Sequence, residues 1–347
     1  MNLTNLIITP ELLRIISEID EFNGGWKVQS NHNPEYLSRL RHVATIESIG
    51  SSTRIEGSKL TDGEIETLLG KVSQQSFRNR DEQEIIGYAE VMETVFDNSK
   101  HIPMTENYIK QLHISLLRHS DKDVRHRGEY KKHSNSVEAF DESGKSLGVV
   151  FETTSAFDTP KQMQVLMHWV RESLEDKSYH PLIVIAVFNV VFLAIHPFQD
   201  GNGRLSRVLI SLLMLKSGYT YIPYSSLESI IEKNKDAYYL ALQRTQKTLK
   251  GETDWLPWLN FFLRSLKRQK DHLQAKENTL GTFKHLSREC AVIMQYLDTH
   301  DRVTISEAYG LITNVSKPTV KNRMAELLRL GLIERHGKAR ATWYSKL

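Results

Sequence analysis

A mainly α-helical protein with a small β-hairpin is what the 347-residue sequence predicts. Residues 182–195 are apolar almost all round, the mark of a buried helix. Residues 205–215 are apolar at helical spacing and stop at Lys216-Ser217-Gly218, a basic last turn followed by glycine. Strand-like alternation is confined to one stretch around 137–151 and to the last residues of the chain. The chain is long enough for two or three domains and a sizeable core.

The first 35 residues hold one short helix, over 9–21, that Asn23-Gly24-Gly25 breaks. A longer helix runs from about 34 to 50. It leads into Ser51-Ser52-Thr53-Arg54-Ile55-Glu56-Gly57, where Ser52 and Glu56 share a face and Gly57 ends the helix. Thr61 and Glu64 have capping-box spacing and open the next helix, through Leu69. Two helices fill 81–120, the second with His113 as a packing residue. Val137, Ala139, Leu147, Val149 and Phe151 alternate around the turn residues 141–144, which predicts a hairpin. A helix over 160–174 follows. Beyond 215, one helix over 230–245 carries Tyr238 and Tyr239, and Trp255, Trp258, Phe261, Phe262 and Leu263 mark a closing helix. Residues 266–282, charged and containing Gly281, read as a helix end plus linker.

The two apolar helices are joined by Ile195-His196-Pro197-Phe198-Gln199-Asp200-Gly201-Asn202-Gly203-Arg204-Leu205-Ser206-Arg207. This junction suits phosphate. Gly201 and Gly203 allow positive φ and close backbone approach. Free N–H groups at the second helix's start favour an anion. Arg204 and Arg207, three apart, offer forked donors from neighbouring positions. Asp200 is a hard oxygen ligand placed for magnesium beside the phosphates. His196 has a side chain suited to proton transfer near neutrality. Taken alone, these residues specify transfer chemistry on a phosphate compound.

His-Pro-Phe-x-Asp-Gly-Asn-Gly-Arg-x-x-Arg, with every position filled, resembles the signature of the Fic (Fic/DOC) family. Ser52 to Gly57 is similar to that family's inhibitory motif. Its place before the core resembles the class with an N-terminal inhibitory helix. The resemblance spans about 46–258. It implies a Fic-fold helical core with a β-hairpin flap, and transfer of AMP from ATP, with Mg2+, to a Ser, Thr or Tyr hydroxyl of a target protein or of the chain itself. It implies His196 as the base and Asp200 as the metal ligand. Gly201, Asn202, Gly203, Arg204, Leu205, Ser206 and Arg207 would hold the nucleotide, and Tyr238 and Tyr239 would line the adenine pocket, with Gln246 a further contact. Glu56, supported by Ser52 and Gly57, would pair with Arg207 and occupy the arginine meant for the γ-phosphate. The flap would hold the target by strand-like pairing. Relatives that transfer other groups, or remove AMP, leave those reactions open as alternatives.

The domain organisation that follows is an N-terminal helical region over 1–103, a catalytic core over 104–265, a linker over 266–282 and a winged helix over 283–347. The last rests on a helix marked by Cys290, Ile293, Met294 and Leu297, a second capping box at Thr304, a helix opened by Ser316 and Pro318, and two strands around Gly337-Lys338. Lys317, Lys321, Arg323, Arg335, His336, Lys338 and Arg340 are placed to meet DNA phosphates. A DNA-binding regulator with a nucleotide-sensing core is therefore the alternative from another class. A homodimer is a further open partner, since its contact would tune the inhibitory helix. A net charge of +3 does not by itself imply nucleic acid. One cysteine excludes a disulfide framework and a cysteine zinc site. No signal peptide or membrane span is evident, so a cytoplasmic protein is expected.

Overall fold

The computed structural model describes residues 3, 5–29, 34–70, 79–133, 135–140, 146–284, 287–297, 300–312, 315–337 and 342–346. They form two compact units, residues 1–272 and 273–347. Both are mostly helical. No described helix is long and apolar enough to cross a membrane.

In the first unit α1 (Pro10–Gln29) does not break at Asn23-Gly24-Gly25 but runs through it. Each glycine weakens a helix by about 1 kcal/mol. That cost is offset by Trp26, which is buried and packs its ring 5.1 Å from that of Tyr224. Asn23 is held too, its Nδ2 donating to Gly218 O at 3.1 Å. α2 (Pro34–Ile55) carries the Ser52 segment to its end, and α3 (Asp62–Leu69) opens on the Thr61 capping box. α4 (Arg80–Asn98) and α5 (Glu106–Leu116) follow, each capped by a side chain, from Asn79 and Thr105.

β1 (Ser136–Phe140) and β2 (Ser146–Glu152) pair antiparallel, Val137 opposite Phe151 and Ala139 opposite Gly148. The expected turn residues 141–144 lie outside the described residues. α6 (Thr159–Glu175) leads to α7 (Pro181–Ile195), the centre of the unit, where every residue after Pro181 is buried. α6, α8 (Asn202–Lys216) and α10 (Lys235–Gln246) pack around it. Trp258 Nε1 donates to Ala186 O at 2.7 Å and ties the closing helix to α7.

The single helix expected over 230–245 is two, α9 (Leu227–Glu232) and α10. Asn234 divides them. Its backbone leaves the helical region, and its Nδ2 donates to Ile230 O at 2.7 Å, a local bond that competes with helix continuation. The linker expected over 266–282 is instead part of α11 (Leu256–Lys284). Leu266, Gln269 and Lys270 are buried, and Ser225 Oγ donates to Gln269 O at 3.0 Å. Of the charges that suggested a linker, Lys270 is itself buried in this packed helix, while Lys267 and Asp271 pair with each other at 3.0 Å.

The second unit has α12 (Arg288–Leu297), α13 (Ile305–Leu311) and α14 (Lys317–Arg329). Then β3 (Ile333–His336) pairs antiparallel with β4 (Trp343–Lys346), and Val303 bridges to Tyr344. Cys290, Ile293, Met324, Leu327, Ile333 and Tyr344 are the heart of its core. Arg323, expected among the phosphate contacts, is ion-paired with Glu289 at 3.4 Å and Glu326 at 3.0 Å. Lys338 and Arg340 lie outside the described residues.

Candidate functional site

The site is built where α7 stops. Proline at 197 disfavours a helical conformation for the residue before it. His196 accordingly caps α7 in the left-handed region, at φ 52° and ψ 61°, its N–H still donating to Phe192 O at 2.9 Å. A non-glycine residue holds that conformation only where its surroundings enforce it. The turn back into α8 is stapled by Asn202, whose Oδ1 accepts from Phe198 N at 2.9 Å and whose Nδ2 donates to Phe198 O at 2.8 Å. Gly201 takes φ 78°, a conformation suited to glycine. His113 supports the loop from α5. Its ring stacks 3.9 Å from that of Phe198, its Nδ1 accepts from Gly128 N and its Nε2 donates to Asp200 O at 3.0 Å. Those two bonds fix a neutral ring, and burial pushes its pKa down to about 4.

Charges converge on the start of α8. Arg207 is buried and donates to Ser52 Oγ (2.8 Å), Ser52 O (2.9 Å) and Glu56 Oε1 (2.8 Å). The Glu56 carboxylate fits there because Gly203 has no side chain: a Cβ at 203 would stand 2.2 Å from Glu56 Oε1. Burial pushes the Glu56 carboxyl up, but Arg207 and Arg204 outweigh it and hold it below its ordinary range. Arg204 is also buried, ion-paired with Glu84 Oε2 of α4 at 2.9 Å and with Asp200 Oδ1 at 3.2 Å. Asp200 Oδ2 faces Lys122 at 3.2 Å and Arg80 at 3.4 Å. Burial raises the Asp200 carboxyl, and Arg204 and Lys122 more than reverse that. Even so, Nε of Arg204 and one terminal nitrogen of Arg207 are buried without an aligned hydrogen-bond acceptor. Buried guanidinium donors left over in this way suit an incoming anion.

His196 is desolvated and stands near Lys131, and both push its pKa down to about 4. It is therefore neutral at pH 7. Its Nδ1 lies 3.3 Å from Leu193 O, a group that can only accept. The proton therefore sits on Nδ1, and Nε2 keeps its lone pair for a base's work. Leu205 and Ser206 are fully buried, and Ser206 Oγ donates to Gly203 O at 2.8 Å. They act on the loop from beneath. Tyr238 is buried between Trp258 and Phe261, with Tyr239 edge-on at 5.1 Å. Burial pushes the Tyr238 hydroxyl up to about 12, with Arg207 opposing. Gln246 Nε2 donates to Val190 O at 3.4 Å, so this amide is turned into the core against α7 rather than outward to a base or ribose.

The family model described as Fic/DOC family matches residues 103–214, which contain α5, the hairpin, α7 and the loop. Residues 103–214 are a Fic/DOC domain.

Curated relatives of this Fic-domain chain include proteins named protein adenylyltransferase Fic. That of Drosophila mojavensis is 26% identical over 72% of this chain and 45% of its own length. That of Drosophila grimshawi is 26% identical over 74% and 48%. The chain thus spans just under half the length of these relatives. Among solved structures, a Fic family protein from Desulfovibrio desulfuricans G20 matches with TM-score 0.60 at 22% identity, covering 98% of this chain and 97% of that one. A Fic domain containing signaling protein from Bacteroides thetaiotaomicron gives 0.59 at 24%, covering 75% and 95%. These likenesses establish the Fic fold.

Sequence reasoning did not single out Glu84, Arg80, Lys122, Lys131 or Asn135. Each reaches the Fic loop from a distant element, and no local pattern marks it. Nor do the described residues contain a group of three His, Cys, Asp or Glu able to hold a metal ion. Asp200 is the loop's carboxylate, its oxygens facing Arg204, Lys122 and Arg80; a magnesium ion held there would take its other ligands from phosphates and water.

Proposed function

We propose that this protein transfers AMP from ATP to a hydroxyl of a target protein, and of itself, with Glu56 as an internal brake. The observation that carries the reading is the neutral His196, with Nε2 free, beside two buried arginines that retain unused donors. The target's Ser, Thr or Tyr oxygen attacks Pα while His196 Nε2 takes its proton. The bond from Pα to the bridging oxygen breaks, and pyrophosphate leaves with the electron pair. Arg204, Arg207 and the N–H groups around Gly201, Asn202 and Gly203 hold the phosphates in line, and positioning and charge supply most of the rate. Asp200 would hold magnesium, which neutralises phosphate charge when bound. Tyr238 and Tyr239 would flank the base. The hairpin would present the target segment through main-chain pairing.

The test is label transfer from α-labelled and γ-labelled ATP in parallel, with Glu56→Gly protein and magnesium. Label from the α position alone is expected, and none with His196→Ala in the same background. Transfer from γ alone would mean a different donor pose, and transfer from neither would overturn the ATP assignment. The pH profile adds a second check. With a base of pKa about 4, kcat/KM should be flat from pH 8 down to about 5.5 and fall only as His196 gains its proton near 4. An acid limb at the ordinary histidine value would argue against the neutral, desolvated base.

For the second unit, the order of three helices and an antiparallel strand pair supports a winged-helix reading. DNA binding would then rest on Lys317, Lys321 and the wing, since Arg323 is engaged internally. Salt-dependent binding to duplex DNA would support it.

A further inference from the structure

The Fic loop is tied to both feet of the hairpin through four carbonyls, two on each side of His196. Thr154 N, just after β2, donates to Ala194 O at 3.2 Å. Lys131 Nζ donates to Ile195 O at 3.0 Å, and Lys131 N donates to Pro197 O at 2.8 Å. Asn135 Nδ2, just before β1, donates to Phe198 O at 2.9 Å. Lys131 grips the chain on each side of His196, once with its side chain and once with its backbone.

The rest of its environment is unusual for a lysine. Lys131 is only 3% exposed. Its ammonium donates to Asn135 Oδ1, Thr153 Oγ1 and Ile195 O, all neutral acceptors, with three donors fully used. Thr153 Oγ1 in turn donates to Asn135, closing a small ring of bonds between the hairpin's feet. A surface-type residue kept buried without a carboxylate needs a reason. A neutral polar residue would serve a purely structural staple at lower cost.

We propose that Lys131 is a positioning residue for His196: it clamps the left-handed turn so that Nε2 faces the loop, sets its positive charge beside the imidazole, and links the hairpin that takes the target to the base that acts on it. The left-handed backbone of His196 is the strained feature that the two Lys131 bonds secure. The charged groups acting on the imidazole are Lys131, which disfavours its protonated form, and Glu56 and Asp200, which favour it. Lys131 offsets the two carboxylates at the point where a proton must be accepted.

This inference rests on the proposed reaction for its purpose, but its physical content is separable. The experiment follows the His196 imidazole by NMR across pH 3–8, its signal assigned by comparison with His196→Ala. Lys131→Met keeps the length of the side chain and removes the charge. It is expected to raise the His196 pKa by about one unit, the scale of a nearby charge's effect, whereas Lys131→Arg should leave it within a few tenths. If the Met variant does not fold, Lys131→Gln is read in its place, with the same expectation. In the Glu56→Gly background, the Met or Gln variant should lose at least tenfold in kcat with KM for ATP little changed, and Arg should restore most of it. An unshifted His196 titration in the neutral variants would overturn the proposal, whatever the activity. A shifted titration with no label transfer even in Glu56→Gly would retain Lys131's role and refute the AMP-transfer reading instead.

Discussion

Glu56→Gly should raise α-label transfer from ATP by one to two orders of magnitude, and should do so without weakening the fold. The Glu56–Arg207 pairing is open to water on one side. Glu56 stands one residue past the end of α2, and its side chain is about one-third exposed (34%), whereas that of Arg207 is 2% exposed. Without Glu56, Arg207 keeps its bonds to Ser52 Oγ and Ser52 O, so the guanidinium stays in place and gains a free donor edge. The cost in stability is small because water reaches the Glu56 side of the pair, one-third exposed where Glu84 is 8% exposed, and two neutral acceptors still hold the guanidinium. A competing carboxylate worth about 1.4–2.8 kcal/mol corresponds to the tenfold to hundredfold change expected. Initial rates of automodification, wild type against variant at equal ATP, measure it. Equal rates would show that the Glu56–Arg207 contact is not a brake. Arg54 makes the resting contact stiff: its guanidinium ties the end of α2 to Glu232 of α9 and Asp62 of α3.

How far the sequence disclosed this site follows from the range of each interaction. The loop was legible because His196, Asp200, Gly201, Gly203, Arg204 and Arg207 are adjacent in the chain and their chemistry is compatible with one ligand. α7 was legible because it is apolar on all sides, and α3 because its capping box is local. The failures are tertiary. α1 continues through two glycines because Trp26 is buried, which no window around residue 24 contains. α11 continues through the charged stretch because Gln269 and Ser225, 44 residues apart, bond to each other. The residues that hold the site from outside, His113, Lys131 and Glu84, bond to Asp200, Ile195 and Arg204 across 87, 64 and about 120 positions, and only folding brings them to bear.

Glu84→Gln presents the opposite case to Glu56, and it should cost the protein about 3 kcal/mol, the scale for breaking a buried ion pair. Both carboxylates face an arginine of the same helix, but Glu84 sits inside α4 with its side chain 8% exposed, against Arg204 at 2%. Its second oxygen takes Arg80 at 2.6 Å. The amide of glutamine fills the same space and removes the charge, leaving Arg204, whose Nε already lacks an acceptor, with Asp200 as its remaining anionic partner. Asp200 must then compensate Arg204, Arg80 and Lys122 together. A fall in melting temperature of roughly 6–12 °C is expected for a domain of this size, read by thermal unfolding at pH 7. Label transfer should fall as well, since Arg204 is aimed by the carboxylate that anchors it. If Glu84→Gln instead melted with the wild type and raised transfer as Glu56→Gly does, Glu84 would be a second brake on the other arginine rather than its anchor.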